Sequence, residues 1–204
     1  MRFFVGLDLG KERDFSALAV VEREMGAVAF GAPRMRTMRV RHLERLPLGT
    51  PYVRVVSRVA EVMRHPELGR EARLVVDATG VGAPVVEMLR SAGLSCRVTA
   101  VTITSGGQAN GRGEDWHVPK QDLMTHLRLL LEERQLKISR KLSETGALVK
   151  ELLDIKLWQG FGGRMGMGAE GSGEHDDLAM AVALACWRGR MREIGFGTQR
   201  LPGI

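Results

Sequence analysis

The chain has 204 residues, ample to bury a core without disulfide or metal staples. Its 44% hydrophobic and 26% charged content excludes wholesale disorder. Lys and Arg number 30 against 24 Asp and Glu, and the net charge of +6 favours a polyanionic partner without identifying one.

Taken in chain order, Phe3 to Leu9 reads as a buried strand with an acid near its end. Ser16 to Glu22 reads as a second strand able to pair with it across the intervening loop. A third strand is expected between Ala27 and Val40. Arg34 and Arg36 share one parity there while Arg39 and Arg41 share the other, which calls for a bulge or break between the pairs. Pro51 to Arg64 carries Val53, Val56, Val59, Ala60 and Met63 at helical spacing, with Pro51 suited to a helix start. Leu74 to Val76 is a short strand running into Asp77, Gly80 to Ala92 a helix closed by Gly93, and Cys96 to Ile103 the next strand. That order implies a parallel α/β unit.

Ser105 to Asp115 contains four glycines and reads as a mobile loop. Lys120 to Arg134 and Lys141 to Leu153 read as amphipathic helices. Seven glycines among the fourteen residues from Gly160 to Gly173 suggest a flexible hairpin or flap. A last helix is expected from about Glu174 to about Gly189. One domain over residues 1–190, followed by a basic tail over 191–204, is the expected organisation.

Cys96 and Cys186 lie in apolar segments without Cys-x-x-Cys or Cys/His spacing, which speaks against zinc and for a reducing compartment. No apolar run approaches the roughly 20 residues of a membrane span, and the N-terminus lacks the apolar core of a signal peptide. A cytoplasmic protein with no membrane partner is the expectation.

Five of the eight aspartates fall where a sheet edge or a helix start would present them. Asp8 ends the first strand and Asp14 lies in the loop after it. Asp77 ends the strand LVVD, and Asp176 and Asp177 open the last helix. Singly each has a bland reading: acids at helix starts cap exposed N–H groups, and acids after strands make turns. Jointly they match a specific chemistry. Phosphodiester hydrolysis needs an activated water and a neutralised leaving oxygen, which two divalent cations about 4 Å apart supply. Hard ions such as Mg²⁺ or Mn²⁺ select carboxylate oxygens. On the last helix Asp177 precedes Met180, Ala181 and Leu184, so it shares the face that packs on the sheet. The alanines of that helix allow it to lie close to the strands.

With these residues assembled, the sequence resembles the nuclease domain of the large terminase subunit of tailed bacteriophages. The resemblance rests on FVGLDLGKERDFSALAVVE, LVVDATGVGAPVVEMLR, VPKQDLMTHLRLLLEERQLKI and HDDLAMAVALA, in the family's order, and covers most of residues 3–188. It implies an RNase H-like α/β fold, a mixed central sheet with antiparallel first three strands and then parallel strands, flanked by helices. It also implies metal-dependent endonuclease action on double-stranded DNA during genome packaging, in the host cytoplasm, with the terminase ATPase domain, small terminase subunit and portal as partners. By position, Asp8, Asp77 and Asp177 look like the catalytic acids, and Asp176 and Asp14 like additional metal ligands or outer partners. The glycine-rich segment after Trp158 looks like the family's hairpin, and Lys120 stands where a DNA-facing lysine is expected. The family's ATPase motif G-x-x-x-x-G-K-[ST] is missing, so no motor activity is expected of these residues.

Further phosphate contacts are sought among Arg34, Arg36, Arg39, Arg41, Arg164, Arg188, Arg190 and Arg192, each equally able to be a solvated surface group. Trp116 and Trp158 lie beside the glycine-rich segments, where stacking on a base is one reading and core or loop packing the preferred one. Thr79-Gly80-Val81-Gly82 is compatible with a phosphate cradle and equally with a tight strand-to-helix turn. Two other functions stay open: a Holliday-junction-resolvase-like nuclease and a non-catalytic DNA-binding packaging module. A phosphotransferase of the actin and sugar-kinase group is disfavoured because the chain leaves too little length for a second lobe.

Overall fold

The computed structural model describes residues 2–10, 14–25, 36–68, 72–159, 165–169 and 175–191. In chain order its elements are β1 (Arg2–Asp8), β2 (Ala17–Met25), β3 (Arg36–Arg45), α1 (Tyr52–Met63), β4 (Arg73–Asp77), α2 (Gly82–Ser91) and β5 (Arg97–Thr104). There follow β6 (Asn110–Arg112), β7 (Asp115–Pro119), α3 (Lys120–Glu132), β8 (Leu136–Ile138), α4 (Thr145–Asp154), β9 (Ile155–Gln159), β10 (Met165–Ala169) and α5 (Asp177–Arg190).

Eight strands form one sheet in the order β6-β7-β5-β4-β1-β2-β3-β8. The first three strands pair antiparallel, while β4 joins β1 in parallel and β5 joins β4 in parallel, as the sequence implied. Strands β9 and β10 make a separate antiparallel hairpin in the glycine-rich region.

Alternate residues of a strand face opposite sides of its sheet, and here both sides are covered. Val5, Leu7, Leu74 and Val76 pack against Val55 and Val59 of α1 and Val85 and Leu89 of α2. Phe4, Ala19, Val75 and Val101 pack against α3 and α5. Helix α5 is buried from Asp177 to Trp187. Its small residues permit a very close approach: a Cβ on Gly6 would stand 1.9 Å from the Ala181 carbonyl oxygen. Glycine is therefore required at that point of β1 by the helix backbone itself.

The expected irregularity in β3 exists but is displaced. Val21 pairs with Val40 and Val20 with His42, so Arg41 is the extra residue of a bulge. The bulge reverses parity, which puts Leu43 and Arg45 on the α5 side together with Met38 and Val40. Arg39 and Arg41 are ion-paired with Glu24 (2.7 Å) and Glu22 (3.5 Å). In α1 the buried stripe is Val55, Val59, Ala60 and Met63, whereas Val53 is exposed; apolar residues on two faces made the spacing ambiguous. Part of the expected loop at 105–115 is instead strand β6, an exposed edge strand that needs no apolar alternation. No described helix is long and apolar enough to cross a membrane.

Candidate metal centre

Pairing of Leu7 with Val76 makes Asp8 and Asp77 the neighbouring last residues of two parallel strands. The carboxyl ends of parallel strands are where open α/β sheets gather ligands. Pairing of Thr104 with Pro119 brings Lys120, the first residue of α3, to the same edge. Helix α5 also begins there, with Asp177 as its first residue and Asp176 at the N-cap position.

Local packing fixes the two strand ends. The Asp77 Oδ1 accepts the Thr79 backbone N–H at 2.8 Å, and the Thr79 hydroxyl accepts the Ile103 N–H at 2.8 Å. A Cβ on Gly82 would lie 2.2 Å from the Asp77 carbonyl oxygen, so close strand-to-helix packing accounts for this glycine. After Asp8, Gly10 N–H donates to Ser16 Oγ at 3.2 Å and the Tyr52 hydroxyl donates to the Gly10 carbonyl at 3.2 Å. Asp14 stands exposed in this loop, near enough to Asp177 to raise its pKa by repulsion.

The electrostatics follow from crowding like charges in a desolvated place. Burial pushes the Asp8 carboxyl well above the usual range, and repulsion from Asp77, Asp177 and Asp176 pushes it further, with Lys120 opposing. Asp77 is raised by burial, against hydrogen bonds from Thr79 and Asp8 and the charge of Lys120. Asp177, only 5% exposed, is pushed up to about 6, chiefly by burial. The first-turn position of Asp177 in α5 would by itself favour its anion. Burial and repulsion from Asp176 and Asp14 win, against the opposing charges of His175 and Arg45.

Does this donor set suit a divalent cation? Its oxygens are hard and anionic, the chemistry Mg²⁺ and Mn²⁺ select. The Oδ2 of Asp177 is buried without a hydrogen-bond partner, 3.6 Å from His175 Nδ1. A buried carboxylate oxygen with no hydrogen-bond partner, in a cluster of acids, fits a cation. Among the described residues, no three His, Cys, Asp or Glu side chains form a complete ion-holding group as they stand. Lys120 Nζ donates to Asp176 Oδ2 at 2.6 Å, giving one of the acids a cationic partner from the protein.

Asp8, Asp77, Asp176, Asp177 and Lys120 therefore gather at one sheet edge, and Asp14 faces them from the loop. Arg36 does not join them: it pairs with Met25, at the end of β3 opposite Arg45, while Arg45 is level with Ala17 and Asp8. Arg34, Arg164 and Arg192 lie outside the described residues, as do 160–164 and 170–174 of the glycine-rich segment and 192–204 of the tail. Trp116 packs edge-on against Trp187, with ring centroids 5.6 Å apart.

Two residues at the site were not singled out in the sequence. Glu151 of α4, 4% exposed, accepts the Ala179 N–H of α5 at 2.7 Å through Oε2 and a hydrogen bond from Arg45 Nη2 through Oε1. Burial pushes Glu151 up to about 7, against the Ala179 and Arg45 contacts. Arg45 also lies 5.2 Å over the Phe15 ring, whose neighbour is His175 at 5.1 Å. Neither residue had a signal in the sequence: a glutamate in an amphipathic helix looks solvated, and the direction of Arg45 depends on the bulge.

An α/β sheet of this order, with helices on both faces and acids converging at its carboxyl edge, defines an RNase H-like fold. No family model matches the chain. It is 27% identical over 183 residues to the large terminase subunit of Thermus phage G20c, covering 90% of this chain. The chain spans 31% of the length of that relative. The magnesium-bound large terminase nuclease of phage G20c superposes with a TM-score of 0.67 at 25% identity, over 92% of this chain and 81% of that one. The manganese-bound nuclease domain of the large terminase of bacteriophage SPP1 shares the fold at a TM-score of 0.56 and 14% identity, over 93% and 87% of the two chains. The curated relatives it matches are large terminase subunits, and the two solved structures compared are large terminase nucleases.

Proposed function

We propose that this chain is a divalent-metal-dependent endonuclease that cuts double-stranded DNA during phage genome packaging. The observation that carries the reading is the meeting, at one sheet edge, of four carboxylates drawn from both ends and the middle of the chain, with Asp8, Asp77 and Asp177 raised in pKa. Structural acids are normally compensated; acids left this strained mark a site that works on something positive.

In this reading Asp8, Asp77 and Asp177 are the catalytic acids, and with Asp176 and Asp14 they hold Mg²⁺ or Mn²⁺ in a two-metal site. The bound ions supply an activated water and charge neutralisation at the leaving oxygen. The chain's own residues do the rest. Packing of α5 against Gly6 holds Asp177 beside Asp8, and the Thr79 turn fixes Asp77. Lys120, on the same edge, offers an ammonium to a DNA phosphate, with the arginines that include Arg34, Arg36 and Arg164 as wider phosphate contacts. DNA affinity then falls steeply with added salt. The ATPase part of a large terminase, the small subunit and the portal are the proposed partners, in the host cytoplasm, with motor activity supplied from outside these residues.

The test is conversion of supercoiled plasmid to nicked and linear forms with Mn²⁺, with chelator as control and Asp77→Asn beside wild type. Cutting that needs Mn²⁺ and disappears in Asp77→Asn supports the assignment. Wild-type cutting by Asp77→Asn, or cutting that survives chelation, overturns it. Preference for four-way junctions over linear duplex would move the activity to the resolvase class.

A further inference from the structure

The N-terminus of α5 is capped by the wrong residue for a helix that opens Asp-Asp. An N-cap aspartate ordinarily accepts the N–H of the second or third helical residue. Asp176 occupies that position but makes no side-chain capping bond. The third N–H, that of Ala179, goes instead to Glu151 Oε2 at 2.7 Å, across from α4. The Asp176 carboxylate is thereby turned to Lys120, and the buried Asp177 Oδ2 keeps no hydrogen-bond partner.

We propose that Glu151 is a positioning residue of the acidic site, a cap supplied from another helix that frees Asp176 and Asp177 for the bound ion. The inference rests on the nuclease reading and deepens it. Glu151 is held for this task from three sides. It is buried, its second oxygen is engaged by Arg45, and Arg45 is laid against Phe15, which in turn packs on His175 beside Asp177. Without the acceptor, the Ala179 N–H is left unsatisfied in a buried place, and the nearest remedy is for Asp176 to rotate back onto it. That rotation withdraws a carboxylate from the cluster. Glu151 is buried with both oxygens engaged by protein groups, so its loss acts through the aspartates.

Two near-isosteric substitutions separate capping from charge, since both remove the anion facing Arg45 and only one keeps an acceptor. In Glu151→Gln the amide oxygen still takes the Ala179 N–H, and the Mn²⁺ dissociation constant from titration calorimetry without DNA and the Mn²⁺ concentration for half-maximal plasmid cutting both stay within about threefold of wild type. In Glu151→Met both rise about tenfold to a hundredfold, while the cutting rate at saturating Mn²⁺ stays within about threefold. Equal Mn²⁺ requirements in the two variants overturn the proposal. So does a Met variant that merely fails to fold, which would make Glu151 a structural residue only. Wild-type protein that neither cuts nor binds Mn²⁺ overturns the nuclease reading itself and this role with it, whereas a failure confined to the variants leaves that reading intact.

Discussion

On the α1 side of the sheet, Glu44 accepts hydrogen bonds from Arg58 Nε at 2.9 Å and Arg58 Nη2 at 3.0 Å and lies 3.0 Å from His42 Nε2. Burial raises its pKa, but those partners outweigh burial and hold the carboxyl below its ordinary value. On the α5 side, at the carboxyl edge of the same sheet, burial and mutual repulsion drive Asp8 the other way. The fold can therefore neutralise a half-buried acid within a few residues of where it declines to do so. The acids at the sheet edge are left needing positive charge, and Lys120 meets only part of that need.

The contrast is broken most severely by Asp8→Asn. Plasmid cutting falls roughly a thousandfold or more, as expected when an ion's ligand is lost. Scanning calorimetry of the metal-free protein should nevertheless show a melting temperature no lower than wild type, because a repelled buried charge has been removed. A variant that lost stability and activity together would assign Asp8 a structural role.

Gly6→Ala attacks the same edge through packing. A Cβ 1.9 Å from the Ala181 carbonyl forces α5 outward. Denaturant unfolding should show a loss of about 3 kcal/mol, at the upper end for overpacking. Cutting should fall as well, because Asp177 travels with the helix.

The pH dependence has the sign of acids whose pKa rises on folding. Asp177 moves from 3.8 to about 6. Between those values the folded state binds more protons, so its stability in the absence of divalent ions decreases as pH rises from about 4 to about 6, by about 3 kcal/mol from this group. Glu151, at about 7, carries the decline higher. Thermal melts across that range, repeated on Asp177→Asn, check it: the variant's decline should be shallower, and added Mn²⁺ should restore stability to wild type near neutrality.

The smallest effect belongs to the compensated side. Arg58→Ala leaves Glu44 partly buried without its main partner and costs about 1–2 kcal/mol in chemical denaturation. Cutting at saturating Mn²⁺ stays within about twofold of wild type, because nothing at the sheet edge moves.

Legibility in the sequence follows the same division. Asp8 and Asp77 were readable because each ends an apolar strand, and Asp177 because its helical spacing matched a buried face. Strands β1, β2, β4 and β5 announced themselves by apolar runs, whereas β3, expected between Ala27 and Val40, runs over Arg36–Arg45, where charged and polar residues interrupt the apolar ones. Strands β6 and β8, three residues each at the sheet margins, have too little periodicity to show. Glu151 and Arg45 depend on long-range placement: one lies on an ordinary amphipathic helix, the other beyond a bulge whose position the arginine pattern suggested but did not locate. The sequence thus exposes the acids that meet at the edge, while the residues that hold them there emerge only in three dimensions.

The most direct measurement is an anomalous difference map from crystals soaked in Mn²⁺. A peak within about 2.2 Å of an Asp8 oxygen and an Asp177 oxygen together is the expected result. Mn²⁺ density elsewhere, with Asp8 and Asp177 each in contact only with protein and water, would contradict the account.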